Sequence, residues 1–308
     1  MVGRFAPSPT GDLHLGNLRT AAIAWLSARS AGTGFVMRME DLDRQQSKRE
    51  HERGQLADLA SIGLDWDGAV IRQSERFDLY DEAIERLAEA GLVYECYCSR
   101  REIRNEIEAS ARAPHGPPGS YPGTCRDLTD ADRTRRRDEG RSPALRLRSD
   151  HRTVGFVDRI VGPVEAVVDD VVLRRNDGVP AYNLAVVVDD AAQGVSEVVR
   201  GDDLALSTPR QIRLQELLGL PTPRYLHVPL VVDADGERLA KRRGVSVTLA
   251  ELARVEVDLD AVRTWLTGSL GLGPVGRLSD LVTEFDPARL DRRPVVAPSF
   301  VARAESGS

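Results

Sequence analysis

An amino-terminal loop in this sequence combines residue types that could hold a phosphate. Residues 4–17 contain Gly11 and Gly16 with His14 between them, and apolar residues at helical spacing follow from residue 18. Amides at the start of a helix, the positive end of the helix dipole and a histidine donor make a natural phosphate site. The loop therefore predicts a nucleotide site, although any strand, loop and helix at the start of an α/β protein shares part of this geometry.

Carboxylates follow the next buried strand pattern. Glu40, Asp41 and Asp43 come directly after residues 34–39. The carboxyl end of a strand is where α/β sheets bind their ligands, so these acids are candidate binding residues. A solvated turn in which an aspartate caps the following helix is the structural alternative.

The cysteines suggest a metal. Cys96 and Cys98 can bind one ion through two thiolates, and Cys125 would supply a third sulfur. From chemistry alone His115 is the better fourth ligand and Tyr121 the other candidate, because imidazole is a commoner zinc ligand than phenolate. Four protein ligands would make the zinc structural. Buried thiols that only pack are the alternative.

Hydrophobic patterns place these groups on strands and helices in the order of an α/β protein. Residues 176–178, Asn-Asp-Gly, are typical of a hairpin turn, so the β-branched runs on either side are expected to pair as strands. The predicted strands are 2–5, 34–39, 164–174, 179–189, 197–200 and 226–232; the predicted helices are 16 onward, 48–62, 76–90, 208 to 219 with Thr208 as its cap, 248 to about 270, and 278–284.

Composition excludes several classes of protein. Of 308 residues 41% are hydrophobic and 29% charged, and no apolar run could span a bilayer. The chain shows no basic and apolar leader, so we expect a cytoplasmic protein without a membrane partner. The net charge of -6 argues against a protein that coats nucleic acid nonspecifically. The arginine-rich run at 133–152 predicts a solvated helix face with internal ion pairs, and contact with an RNA backbone is the alternative.

These motifs resemble those of class I glutamyl-tRNA synthetases in order and spacing, over about residues 2–290. The run Arg4-Phe5-Ala6-Pro7-Ser8-Pro9-Thr10-Gly11 leads into His14-Leu15-Gly16-Asn17, which is similar to the family's H-x-G-H with asparagine in the last place. Residues 38–43 resemble R-x-E-D-x-D, and 238–242 resemble K-L-S-K-R with Lys241 on its second lysine. Residues 180–211 are similar to the second half of the synthetase catalytic domain.

The resemblance implies roles for individual residues. Glu40 would bind the amino group of glutamate and Arg200 its side-chain carboxylate, since a guanidinium can bind a carboxylate through paired hydrogen bonds. His14 and Lys241 would be the catalytic residues. The implied glutamate site is Arg4, Phe5, Ala6, Pro7, Ser8, Glu40, Tyr182 and Arg200, and the implied ATP site is His14, Gly16, Asn17 and Lys241, with Mg²⁺ accompanying ATP.

The length favours the short paralogues of this family, the glutamyl-queuosine tRNA(Asp) synthetases. Only 66 residues follow Arg242, which leaves little room for an anticodon-binding domain. The paralogues' zinc pattern, C-x-C and then Y-x-x-x-C, implies Tyr121 as the fourth ligand beside Cys96, Cys98 and Cys125 of one structural zinc. The implied acceptor is queuosine in tRNA(Asp), and the implied state is a monomer. The alternatives are a truncated enzyme that charges tRNA(Glu) and a non-catalytic RNA-binding relative.

The fold expected from the resemblance is an α/β, Rossmann-like class I catalytic domain with a parallel sheet. Residues 1–93 would form its first half and 176–245 its second, the latter carrying the K-L-S-K-R-like loop. An inserted zinc-containing subdomain would occupy 94–175, and a short helical region 246–308.

Overall fold

A five-stranded parallel sheet forms the centre of the computed structural model, which describes residues 2–109, 120–233, 235–237 and 247–301. The sheet order is β10-β9-β1-β2-β3, and every pairing in it is parallel. The strands are β1 Val2–Phe5, β2 Gly34–Met39, β3 Ile71–Arg72, β4 Val93–Cys96, β5 Ala144–Leu147, β6 Thr153–Asp158, β7 Gly162–Val167, β8 Val172–Arg174, β9 Glu197–Gly201, β10 Arg224–Val228, β11 Val231–Val232 and β12 Val295–Val296.

Helices cover the sheet and confirm most of the predicted pattern. Helix α1 packs so closely on β1 that a Cβ added to Gly3 would lie 2.8 Å from the Cβ of Ala28, so only glycine fits there. The α-helices are α1 Leu15–Ser30, α2 Arg49–Ser61, α3 Phe77–Glu89, α4 Arg100–Ala109, α5 Asp130–Asp138, α6 Tyr182–Ala192, α7 Thr208–Leu218, α8 Leu249–Arg254 and α9 Leu259–Ser269.

The prediction of a strand over 179–189 is wrong. The turn forms, with Gly178 at φ +83° and Arg175 N donating to Val179 O, but helix α6 begins at Tyr182. Val186 and Val187 are buried within α6. Valine costs a helix only a few tenths of a kcal/mol relative to alanine, so burial of this segment outweighs its β-branched composition.

Several smaller predictions also need correction. The strand expected over 164–174 is divided into β7 and β8, and the helix expected from 248 to about 270 is divided into α8 and α9. Ser207, not Thr208, takes the cap position of α7, since Thr208 already has helical dihedrals. The strand expected over 226–232 is divided into β10 and β11 around Pro229, which cannot donate to a sheet. Gly219 ends α7 at φ +64°, as predicted.

The segment between β3 and α6 forms its own antiparallel sheet, β4-β5-β8, and the β6–β7 hairpin. Ion pairs within α5, Arg133 to Asp130 and Arg135 to Asp132, confirm a solvated arginine-rich helix face for this part of the run. The rest of the run differs, because Arg146 lies in β5 and is buried. After the sheet come α8, α9 and a 3₁₀ turn at Leu278–Leu281. Across the described ranges, no helix has the length and apolarity to cross a membrane.

Candidate active site

A cavity of about 550 Å³ lies at the carboxyl ends of the parallel strands β1, β2 and β9. Its position is that expected for the ligand site of an α/β sheet. Lys241 and the rest of its motif, like His115, lie outside the described residues. The cavity brings together the other predicted glutamate and ATP residues: Arg4, Phe5, Ala6, Pro7, Ser8, His14, Gly16, Asn17, Glu40, Tyr182 and Arg200.

Hydrogen bonds to carbonyl groups of the amino-terminal loop hold the loop in place. Pro7 O accepts from Glu40 N at 2.9 Å, which joins the end of β1 to the end of β2. Gln55 of α2 is buried, and its Nε2 donates to Ser8 O at 3.0 Å and Gly11 O at 2.6 Å. Sequence reasoning did not select Gln55, because a glutamine in an amphipathic helix pattern carries no signal of a distant loop contact.

His14 caps helix α1 through an arrangement that Asn17 completes. His14 Nδ1 accepts from Gly16 N at 3.1 Å and Asn17 N at 3.3 Å, and Asn17 Oδ1 accepts from His14 N at 3.2 Å. These bonds form a capping box. The two amides therefore donate to the imidazole here, and they can bind a phosphate only if the ring turns away.

Replacing Asn17 with alanine is expected to lower the free energy of unfolding by about 1 kcal/mol, because His14 N loses its acceptor. Asn17→Asp keeps an acceptor oxygen and serves as the control. Denaturant unfolding of both variants measures the difference; equal stability of wild type and Asn17→Ala would show that the box contributes nothing.

Beneath the cavity lies a network of buried charges. Arg38 is fully buried, with Nη1 2.8 Å from Asp190 Oδ1, Nη2 3.5 Å from Glu40 Oε1 and Nε 3.7 Å from Asp189 Oδ2. Arg4 Nε lies 3.5 Å from Asp190 Oδ1. Burial raises the pKa of Glu40, and the Arg38 and Arg4 cations offset part of this effect. Glu40 is thus held as the acidic group that lines the cavity at the end of β2.

Asp189 and Asp190 reach this network together because α6 is a helix. Successive side chains of a strand point to opposite faces, whereas neighbours in a helix lie about 100° apart and can share one partner. Asp189 also accepts from Tyr80 Oη at 2.8 Å and Arg76 Nε at 2.7 Å. Neither aspartate was predicted as a site residue, because residues 179–189 were expected to form a strand.

Arg200 is a buried cation at the edge of the cavity, 6% exposed. Nε donates to His227 Nε2 at 3.1 Å and Nη2 to Thr208 Oγ1 at 2.8 Å, while Nη1 lies 3.4 Å from Tyr182 Oη. These partners are neutral. Among the described residues no carboxylate lies within ion-pair distance of Arg200. Because burying an unpaired charge is costly, this arrangement favours an anionic ligand.

The three cysteines and Tyr121 converge in the segment that runs from β4 to β8, residues 93–174, which is called the inserted segment below. Cys98 and Cys125 Sγ are 3.4 Å apart, and Tyr121 Oη lies 3.4 Å from Cys96 Sγ and 3.5 Å from Cys98 Sγ. Sulfurs around a tetrahedral zinc stand about 3.8 Å apart, so this donor set fits the ion. Cys125 N donates to Tyr121 Oη at 2.8 Å, which orients the phenol.

Two tyrosines of this cluster allow a matched metal test. Tyr121→Phe is expected to weaken zinc binding by about 100-fold or more, because it removes a ligand atom. Tyr97→Phe is the control, since Tyr97 Oη bonds Glu95 and only its backbone N meets Cys125. Metal analysis of purified protein and competition with a chromogenic chelator give the affinities. Purified wild type without zinc would contradict the expectation.

Comparison with known proteins identifies the fold and the family. A family model described as tRNA synthetases class I (E and Q), catalytic domain, matches residues 1–274. The chain belongs to this family. The Rossmann-like α/β fold and the glutamyl-type resemblance are thereby confirmed, and membership of this family implies ATP with Mg²⁺ as a substrate.

Among relatives of this class I synthetase, the Glutamyl-Q tRNA(Asp) synthetase of Nocardia farcinica is 60% identical over 95% of the chain and 92% of its own length. The protein of the same name from Symbiobacterium thermophilum is 44% identical over 100% and 99%. A crystal structure of glutamate-tRNA synthetase from Elizabethkingia anophelis superposes with a TM-score of 0.79 at 26% identity, over 98% of this chain and 69% of that one. The synthetase thus spans nearly the whole length of its short relatives.

Proposed function

We propose that this synthetase activates L-glutamate with ATP and transfers the glutamyl group to queuosine in the anticodon of tRNA(Asp). The observation that carries the first half is Arg200, a buried cation whose described partners are all neutral, facing the same cavity as Glu40. An acidic group for an ammonium and an unpaired cation for a carboxylate are the complement of glutamate. The relatives named Glutamyl-Q tRNA(Asp) synthetase support the second half.

Activation requires only positioned reactants. An α-carboxylate oxygen of glutamate attacks the α-phosphorus of ATP, the bond to the β-phosphate breaks, and pyrophosphate leaves with its electron pair. Glu40 would hold the ammonium, Arg200 the side-chain carboxylate, and His14 with Lys241 the phosphates, whose growing charge these donors stabilise. No side chain forms a covalent bond to the substrate.

Transfer uses the adenylate as the activated acid. A hydroxyl of the acceptor nucleoside attacks the glutamyl carbonyl carbon, the carbonyl–phosphate bond breaks, AMP leaves, and the hydroxyl proton is released. A second cavity of about 740 Å³ shares Ser8, Glu40 and Tyr182 with the first and extends towards the inserted segment at Cys98 and Arg146. It supports the proposal by giving the acceptor nucleoside a route to the adenylate.

A structural zinc belongs to the same proposal. The ion would be held by Cys96, Cys98, Tyr121 and Cys125 beside this second cavity, where four protein ligands leave no open position for catalysis. The Arg146 guanidinium lies 3.8 Å from the centre of the Tyr121 ring, and this cation–π contact helps to fix the position of the ring. The cytoplasmic location and the monomeric state both stay predictions.

Transfer of labelled glutamate to different tRNAs identifies which tRNA is the acceptor. The enzyme is incubated with ATP and tRNA(Asp) with queuosine, tRNA(Asp) without it, or tRNA(Glu), and only the first is expected to become labelled. Labelling of tRNA(Glu) alone would establish the second candidate, a short tRNA(Glu)-charging enzyme, which the likeness to glutamate-tRNA synthetase structures favours. A non-catalytic relative would show no glutamate-dependent ATP–pyrophosphate exchange.

A further inference from the structure

Behind Arg200 lies a chain of buried side chains that the proposed reaction does not use. His227 of β10 is the registered partner of Arg200 in β9, and its Nε2 accepts from Arg200 Nε at 3.1 Å. His227 Nδ1 lies 2.6 Å from Oδ2 of Asp158, the last residue of β6. His227 is 0% exposed and Asp158 2% exposed.

The surroundings of Asp158 determine which imidazole nitrogen carries the proton. Ile160 N and Val161 N each donate to Asp158 Oδ1 at 2.9 Å, and His227 N also donates to the carboxylate. Burial alone would raise the pKa of Asp158, but the bonds from His227 and these amides leave it below its ordinary value. An ionised carboxylate only accepts, so Nδ1 must carry the proton.

The imidazole is then neutral, with its lone pair towards Arg200. Burial lowers the pKa of His227, and the nearby Arg200 cation acts in the same direction against the effect of Asp158. The ring is also fixed by packing: Tyr225 stacks on it with centroids 6.0 Å apart and planes 11° apart. The Arg200 guanidinium lies 5.6 Å from the Tyr225 centroid.

We propose that Asp158 and His227 are positioning residues for glutamate recognition: together they hold the Arg200 guanidinium so that Nη1, beside Tyr182, faces the cavity. This inference rests on the proposed function of Arg200. It also gives the β6–β7 hairpin, which belongs to the inserted segment, a part in the amino-acid site. Neither residue lines the cavity, and both of the contacts that His227 Nε2 makes lead to Arg200: one is to Arg200 Nε itself, and the other, at 3.2 Å, is to Thr208 Oγ1, which accepts from Arg200 Nη2.

The variant Asp158→Asn directly tests whether Asp158 and His227 position Arg200. The carboxamide has nearly the same shape, but its N–H would donate to His227 Nδ1 and move the imidazole proton to Nε2, where it would oppose Arg200 Nε–H. The KM for glutamate in ATP–pyrophosphate exchange is expected to rise about tenfold or more, with the KM for ATP changed less than about twofold. A lower melting temperature with an unchanged KM for glutamate would overturn the inference, as would equal changes in both KM values.

The double variant provides the matched control. Lysine at position 200 keeps the charge but has no Nε–H to meet His227, so Asp158→Asn added to Arg200→Lys should raise the KM for glutamate little further. Full additivity of the two changes would mean that Asp158 acts by another route, and the inference would fall. Wild type without glutamate-dependent exchange would instead overturn the proposed function and this inference with it.

A measurement on the unaltered enzyme applies even if the variants do not fold. The chain has five histidines, and ¹⁵N spectra of their side chains distinguish the two neutral tautomers from the imidazolium. His227 is expected as the neutral form with Nδ1 protonated. A signal for the Nε2–H tautomer or the imidazolium would overturn the inference, while active wild type would leave the proposed function intact.

Discussion

Replacing Arg200 with alanine is expected to reduce kcat/KM for glutamate in ATP–pyrophosphate exchange by about a thousandfold, while the protein stays folded. The buried guanidinium is the candidate partner of the substrate's side-chain carboxylate. Without it, that carboxylate would enter a site with no compensating cation, which costs more than a single neutral hydrogen bond. Because the partners of Arg200 in the described structure are neutral, removing the guanidinium leaves no buried carboxylate without an ion-pair partner.

Discrimination between glutamate and glutamine gives a second readout for Arg200. The variant is expected to lose its preference for glutamate over glutamine, since both then meet an uncharged pocket. Arg224→Ala is the matched control, because Arg224 is the first residue of the neighbouring strand β10 and forms an ion pair with Glu197 outside the cavity. Exchange kinetics that remain as in wild type after Arg200→Ala would refute the pocket assignment.

The second large effect is expected from Glu40→Gln, which should raise the KM for glutamate by about 100-fold. The change keeps the shape of the side chain and removes the charge proposed to bind the substrate ammonium. Measuring exchange at saturating ATP separates this effect from any change in nucleotide binding. The KM for ATP is expected to remain near its wild-type value.

The same residue predicts the pH dependence. The pKa of Glu40 is raised by burial, so as pH falls the carboxylate becomes protonated earlier than an ordinary glutamate, whose pKa is about 4.3. The ammonium of glutamate then loses its partner, and the KM for glutamate rises. The raised pKa also affects the stability of the fold. At a pH below the pKa of Glu40 in the unfolded chain, its contribution to the free energy of unfolding is fully present, and this contribution is lost as the pH rises through the pKa in the folded protein.

Glu197→Gln is the control for both Glu40 experiments. Glu197 is buried in the same sheet, but it bonds Arg159 and lies outside the cavity. Its replacement should leave the KM for glutamate and its pH profile unchanged. An unaltered KM in Glu40→Gln, or a wild-type pH profile that persists in that variant, would exclude Glu40 as the ammonium site.

Much of the candidate site was accessible from the sequence because its parts follow strands directly. Glu40 ends a short apolar run, and Arg200 lies in another, so parallel pairing of β1, β2 and β9 brings both to one edge. The cysteine cluster was accessible for a different reason: its spacing and the odd cysteine count exclude most other uses. The choice of Tyr121 rather than His115 as the fourth zinc ligand depended on the resemblance alone.

The parts that were missed depend on contacts between distant segments. Asp189 and Asp190 meet Arg38 only because residues 182–192 are helical, and burial among neighbouring elements outweighs their β-branched pattern. In the sequence, His227 is one polar residue within a predicted strand and carries no further signal. In the structure it bonds both Arg200 and Asp158, and Asp158 lies 69 residues before His227 in the chain.

The sequence by itself therefore determined the α/β class, the strand, loop and helix at the amino terminus, the cysteine cluster and the charged residues that line the cavity. Those features reside in local spacing, which short-range backbone geometry converts into structure. Only the tertiary structure decided that Asn17 completes the cap of His14, that α6 carries two aspartates to Arg38, and that Asp158 reaches Arg200 through His227. Each of these is a hydrogen bond or ion pair between side chains whose direction depends on packing, and packing is a property of the whole fold.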